Sequence, residues 1–129
     1  MQRRFLIAGS ITGLLGVIIG AFATHGLQPK LSLEAIKSFE TGVKYQMYHA
    51  LLLLILGGIP LLKLKFKTVI FYLLLSGIIL FSGSIYALAT NDLTGFDFTS
   101  IALLTPIGGL LLIIAWFLLI LDFIKLKNK

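Results

Sequence analysis

The chain has no cysteine. That excludes disulfides, thiolate metal sites and thiol nucleophiles. Charge is scarce too: Asp, Glu, Lys and Arg make up 12% of the residues, and only 5 of these are acidic. No paired carboxylates, no phosphate-cradling glycine loop and no H-E-x-x-H pattern occur, so the common hydrolytic and phosphoryl-transfer sites have no footing. A net charge of +6 could point to nucleic acid. The basic residues are split among separated short clusters, however, and give no continuous basic surface, so no nucleic-acid partner is expected.

What the chain has instead is apolar length. Hydrophobic residues make up 58% of it and the mean hydropathy is +1.04, more than a soluble core of 129 residues needs. Four runs carry no formal charge: Phe5–Thr24, Tyr45–Leu62, Thr68–Asn91 and Phe98–Leu121. A helix rises ~1.5 Å per residue and a hydrocarbon core is ~30 Å thick, so each run can cross a bilayer or nearly so. The expected fold is an all-α membrane protein in one domain, residues 1–129. It has four transmembrane helices at about 5–24, 45–62, 68–91 and 98–121, and a short amphipathic helix at about 32–44 between the first two. Ala21-Phe22-Ala23 after a basic start resembles a signal-cleavage site, but the apolar run is longer than a usual signal core. It is read as a span.

The basic residues sit at alternate gaps. Arg3 and Arg4, then Lys63, Lys65 and Lys67, then Lys125, Lys127 and Lys129 lie on one side, and Lys30, Lys37 and Lys44 on the other. The positive-inside rule places both termini in the cytoplasm of a multi-pass protein of the cell (inner) membrane. The lipid bilayer is the first partner, and a second copy or another membrane protein is a candidate second one.

Gly9, Gly13, Gly16 and Gly20 follow one face of span 1, a helix-packing surface for a neighbour in the same chain or in another. Pro29 breaks the chain and Ser32 is a fair N-cap. Leu33, Ile36, Phe39 and Val43 then face one way and the polar residues the other, as in a helix lying at the interface. Glu40 and Lys44 can pair at i,i+4. In span 3, Ser76, Gly83, Ala87 and Thr90 share a face, and Tyr72 and Tyr86 are placed as interfacial anchors. Asn91-Asp92 and Thr94-Gly95 make the outer turn, with Phe96 and Phe98 at the interface. Thr105-Pro106 and Gly108-Gly109 predict a kink or close crossing in span 4. Trp116 is too deep for a belt residue and is expected inside the bundle. Asp122 can pair with Lys125.

Span 2 carries the candidate site. Its strictly apolar part, Ala50–Leu62, covers only ~20 Å of helix. The missing length must come from Tyr45, Gln46, Met47, Tyr48 and His49, in or just below the outer headgroup layer. There a bare polar group is costly, so these side chains should turn to the bundle. The candidate binding cluster is His25, Glu40, Tyr45, Gln46, Tyr48 and His49. Imidazole and carboxylate suit zinc or iron, which makes His25 and His49 weak metal candidates, with Glu40 and Met47 beside them. On straight helices, however, their depths differ by up to ~10 Å. Structural histidines, metal or haem ligation, and a proton or solute path remain the readings. No cofactor is required.

The segments Phe39-Glu40-Thr41-Gly42-Val43-Lys44-Tyr45-Gln46-Met47-Tyr48-His49 and Gly20-Ala21-Phe22-Ala23-Thr24-His25-Gly26-Leu27 resemble the small four-span membrane family catalogued as domain-of-unknown-function family 423. Thr105-Pro106-Ile107-Gly108-Gly109 and Trp116 extend the resemblance over essentially the whole chain. Ala23-Thr24 departs from the Gly-Ala more usual before the histidine. The resemblance implies a bacterial or organellar four-span membrane protein, and it implies no activity. A non-enzymatic accessory that packs with a partner or itself is the leading expectation. A small channel or carrier with a polar outer site, and a metal- or cofactor-binding membrane protein, are the alternatives.

Overall fold

The structure is a computed structural model that describes residues 1–59, 63–91 and 102–126. Every regular element among them is helical. Helix α1 is Gln2–Phe22, continued by one π-helical turn, Ala23–Leu27. Helices α2, α3 and α4 are Leu33–Gly58, Lys67–Ala89 and Leu104–Ile124. Three stretches are long and apolar enough to cross a membrane: Gln2–Leu27, Lys67–Ala89 and Leu104–Ile124.

Helix α2 differs from the sequence expectation. The amphipathic stretch and the second apolar run are one unbroken helix of 26 residues. The Ser32 side chain caps it, accepting from the Ala35 N–H at 3.1 Å. Its C-terminal boundary is earlier than expected, at Gly58, where Ile59 turns extended with φ −103 and ψ 94. Ile59 precedes Pro60, and a residue before proline is pushed out of the α region. Pro60, Leu61 and Leu62 lie outside the described residues, as do the outer turn from Asp92 onward, Phe96 and Phe98.

Helix α4 starts at Leu104, six residues after the expected boundary, which puts Pro106 in its first turn. There its missing N–H has no intrahelical partner to lose, so the proline starts the helix instead of kinking it. The close crossing is found at Gly108. A Cβ there would fall on the backbone of Leu80 and Phe81, so α3 and α4 touch main chain to main chain.

The four glycines of α1 face α2. Gly9 meets Leu54, Gly13 meets Ala50, Gly16 meets Met47 and Gly20 meets Val43. Each pair of residue numbers sums to 63, a single antiparallel register along the whole contact. A Cβ at Gly9 would stand 3.0 Å from the Ala50 carbonyl oxygen, so the small residues set how near the helices come. This face is therefore covered by the chain itself. The face of α3 chosen from its small residues is also off by part of a turn: Ser76 and Gly83 are exposed. The buried face is Ile70, Leu74, Gly77, Ile78 and Ser82.

Two apolar clusters result. The larger, at the end holding Arg4 and Lys67, contains Phe5, Leu53, Leu56, Ile70, Leu74, Leu112, Ala115 and Leu119. The smaller, at the opposite end, contains Ala23, Leu27, Ile36, Phe39 and Ala89. Between them lies a layer of polar side chains.

Candidate functional site

That layer is built on α2. Gln46 and His49 are three residues apart and share a face, and they are 5% and 4% exposed. Gln46 donates from Nε2 to the Thr12 carbonyl of α1 at 2.9 Å, and its Oε1 accepts from the Tyr86 hydroxyl of α3 at 2.5 Å. A carbonyl can only accept, so the amide orientation is fixed. One side chain thus ties three helices. Ser82 of α3 adds a second tie to α2, donating to the Gly42 carbonyl at 2.7 Å.

His49 closes the layer toward α4. The Trp116 indole N–H donates to Nε2 at 3.0 Å, and Nδ1 lies 2.6 Å from the Tyr45 carbonyl. An indole N–H only donates and a carbonyl only accepts, so Nε2 carries the lone pair and Nδ1 the proton. The imidazole is neutral, in one tautomer, with both nitrogens engaged. Neither is free for a metal.

The register fixes height along the bundle. Gln46 and His49 are level with residues 17 and 14 of α1, ~20 Å and ~15 Å of helix from the level of Arg4. Among the described residues no buried side-chain nitrogen or oxygen lacks a hydrogen-bond partner.

Of the other members of the expected cluster, Tyr45 joins through its carbonyl and by stacking its ring on His49 at 6.2 Å, while Tyr48, Glu40 and His25 do not. Tyr45 and Tyr48 are exposed on the flank of α2, packed edge to face with ring centroids 5.8 Å apart. Glu40 is exposed, beside a shallow groove it shares with Gly20, Ala23, Val43 and Lys44. His25 lies exposed in the π-helical turn. It is eleven residues along α1 from the level of His49, an axial separation of ~17 Å. The structure therefore does not bring the two histidines together. Among the described residues no group of three or more His, Cys, Asp or Glu side chains could hold a metal ion.

Four residues take roles the sequence reading did not give them. Tyr86 is turned inward to Gln46 and is not an interfacial anchor. Trp116 is 46% exposed on the flank of α4, not enclosed, and its N–H is satisfied by His49. Asp122, 3% exposed, does not extend along its own helix toward Lys125. Its Oδ2 accepts from the Phe66 N–H at 2.9 Å, capping the start of α3 from α4. Its spacing from Leu112, Ala115 and Leu119 was the available signal, because all four fall on one helical face. Thr105 meets Ser84 hydroxyl to hydroxyl across the α3–α4 crossing.

A model of the family described as "Protein of unknown function (DUF423)" matches residues 19–109. The chain is 36% identical to the UPF0382 membrane protein YwdK of Bacillus subtilis, over 96% of this chain and 98% of the relative. It is 36% identical to a UPF0382 membrane protein of Haemophilus influenzae, over 99% of each. It is 34% identical to the UPF0382 inner membrane protein YgdD of Escherichia coli, over 100% of this chain and 96% of the relative. No solved structure matches it.

Proposed function

The chain belongs to the DUF423 family of membrane proteins, and from that premise we propose that it is a four-span, non-enzymatic accessory of the cell membrane that assembles with a membrane partner or with itself. In this reading α2 is the fourth span. Its 26 residues cover ~39 Å, more than the ~30 Å of hydrocarbon, but Tyr45–Gly58 alone covers only ~21 Å, so the inner end of the Glu34–Lys44 half enters the outer edge of the slab. Both termini are cytoplasmic, as the basic residues direct.

One observation carries the non-enzymatic reading. The buried polar atoms of Gln46, His49, Ser82 and Asp122 are engaged with neighbouring helices. A histidine acts as a general base through its free ring lone pair; that of His49 is taken by the Trp116 N–H, and this layer is arranged as a clasp. The glycine face of α1 is covered by α2, so a partner must use the outer flanks of the four helices. The test is purification in mild detergent followed by mass measurement and cross-linking in membranes. A dimer or a co-purifying membrane protein is expected. A strict monomer with nothing bound would overturn the assembly role.

A second reading, a small carrier or channel, is favoured by a cleft of about 440 Å³ bordered by Ser32, Glu34, Ser38 and Thr105. It requires water to reach Gln46 from that cleft. Solute or proton flux in liposomes decides it.

A further inference from the structure

Helices α1 and α3 run parallel and meet at the Arg4 end, where the Phe5 and Phe71 rings pack edge to face with centroids 5.1 Å apart. The Arg4 guanidinium donates to the Tyr72 hydroxyl at 3.1 Å. Beyond that contact the two helices leave a groove on the outside of the bundle. Its first part, about 330 Å³, is walled by Ile7, Ala8, Ile11, Phe71 and Leu75 and has Arg4 at its mouth. Thr12 and Leu75 continue it into a second part of about 230 Å³ that reaches Ile79 and Gly83. A Cβ at Gly83 would touch nothing within 4 Å, so this end is open.

The mouth is strongly basic. The Lys67 ammonium lies 5.8 Å from the centroid of the ring of Phe5, the residue that follows Arg4. Arg3, Lys63 and Lys65 belong to the same end of the bundle by the alternation of the sequence. Among the described residues the one acidic side chain at this end, Asp122, is buried and bonded to the Phe66 N–H. Only one guanidinium nitrogen of Arg4 is engaged by Tyr72, and the planar fork retains donors suited to a phosphate.

We propose that this groove binds one anionic phospholipid of the leaflet in which the N-terminus lies. The phosphate sits on Arg4 and Lys67, and an acyl chain lies along Ile7, Ile11 and Leu75. From Arg4 to Thr12 the groove covers ~12 Å, close to the ~15 Å of hydrocarbon in half a bilayer. Basic pockets between spanning helices on the cytoplasmic side have the chemistry for anionic headgroups. A second copy of this chain is a poorer occupant. Two copies of one orientation pair about an axis along the membrane normal. That axis would set the two Arg4–Lys67 mouths against each other at one level. The inference rests on the membrane placement alone and stands or falls separately from the accessory role.

The test is native mass spectrometry of the full chain in mild detergent. Phosphatidylglycerol and phosphatidylcholine with identical acyl chains are added in equal amounts. Phosphatidylglycerol should be retained in about thirtyfold preference, as two basic residues near a headgroup imply. The Arg4→Ala, Lys67→Ala double variant should bring that ratio close to one. Ile11→Trp, which fills the groove without touching the charges, should lower retention of the preferred lipid. Equal retention of the two lipids by the unaltered chain overturns the proposal, and this arm needs no variant to fold. An unchanged preference in a folded double variant, or unchanged lipid retention in Ile11→Trp, also overturns it. So does a dimer that forms through this groove and excludes lipid.

Discussion

Gln46 has two polar ends, and the bundle holds both. The donor end meets α1 and the acceptor end meets α3, at a depth where water is not at hand to replace either. Measured hydrogen bonds between membrane helices average ~0.6 kcal/mol and reach ~1.7, because the separated helices also find partners. Gln46→Leu removes two such bonds and leaves the Tyr86 hydroxyl without its acceptor. A loss of ~1–2 kcal/mol is expected in a detergent unfolding titration, with Tyr86→Phe losing less. Equal stability of Gln46→Leu and the unaltered chain would show that the clasp contributes nothing. That Gln46 and His49 need shelter was legible in the sequence, because the apolar part of their helix is too short to span alone. Their partners were not. Tyr86 is amphipathic and reads as well as a belt residue as a buried donor, and the depth of Trp116 points to the bundle without naming the group its N–H meets. Only the crossing of the helices decides both.

At the scale of the helix, small residues and ends set the contacts. The stripe on α1 was legible because four glycines on one face leave a smooth wall. The face of α3 was not, since small residues occur on both sides of it: Gly77 and Ser82 are buried while Ser76 and Gly83 are exposed. Two glycines of this chain therefore make a controlled comparison. Gly108→Ala drives a methyl into the Phe81 backbone and should cost ~1–3 kcal/mol, as overpacking does. Gly83→Ala adds the same methyl into open space and should leave thermal stability unchanged or slightly higher. A helix end gives the next expectation. Asp122→Ala strips the cap from the start of α3 and should cost ~1 kcal/mol in the same titration, with Asp122→Asn retaining much of it. If the alanine variant matches the unaltered protein, the cap has no energetic weight. In the sequence Asp122 was a pairing partner for Lys125. A single acidic residue on an apolar helix is ambiguous until the neighbour with a free N–H is known.

At the scale of the molecule, the arrangement follows from helices too apolar for water and connections too basic to cross. The alternation of basic gaps was legible at once, whereas the merging of the amphipathic stretch with the second span was not. Nothing in the local sequence between Lys44 and Ala50 either breaks or requires continuity. The topology gives its own expectation. A fluorescent protein fused after Lys129 should fold and emit, while alkaline phosphatase at the same point should be inactive. Phosphatase activity there would invert the orientation. Finally, the chain contains one tryptophan, and its indole joins α4 to α2 through His49. The molecule thus carries a built-in optical probe at the junction of its two halves. Any motion that draws those halves apart must unfasten the same bond that sets the probe's emission, so intrinsic fluorescence alone can follow the opening of the bundle without an added label.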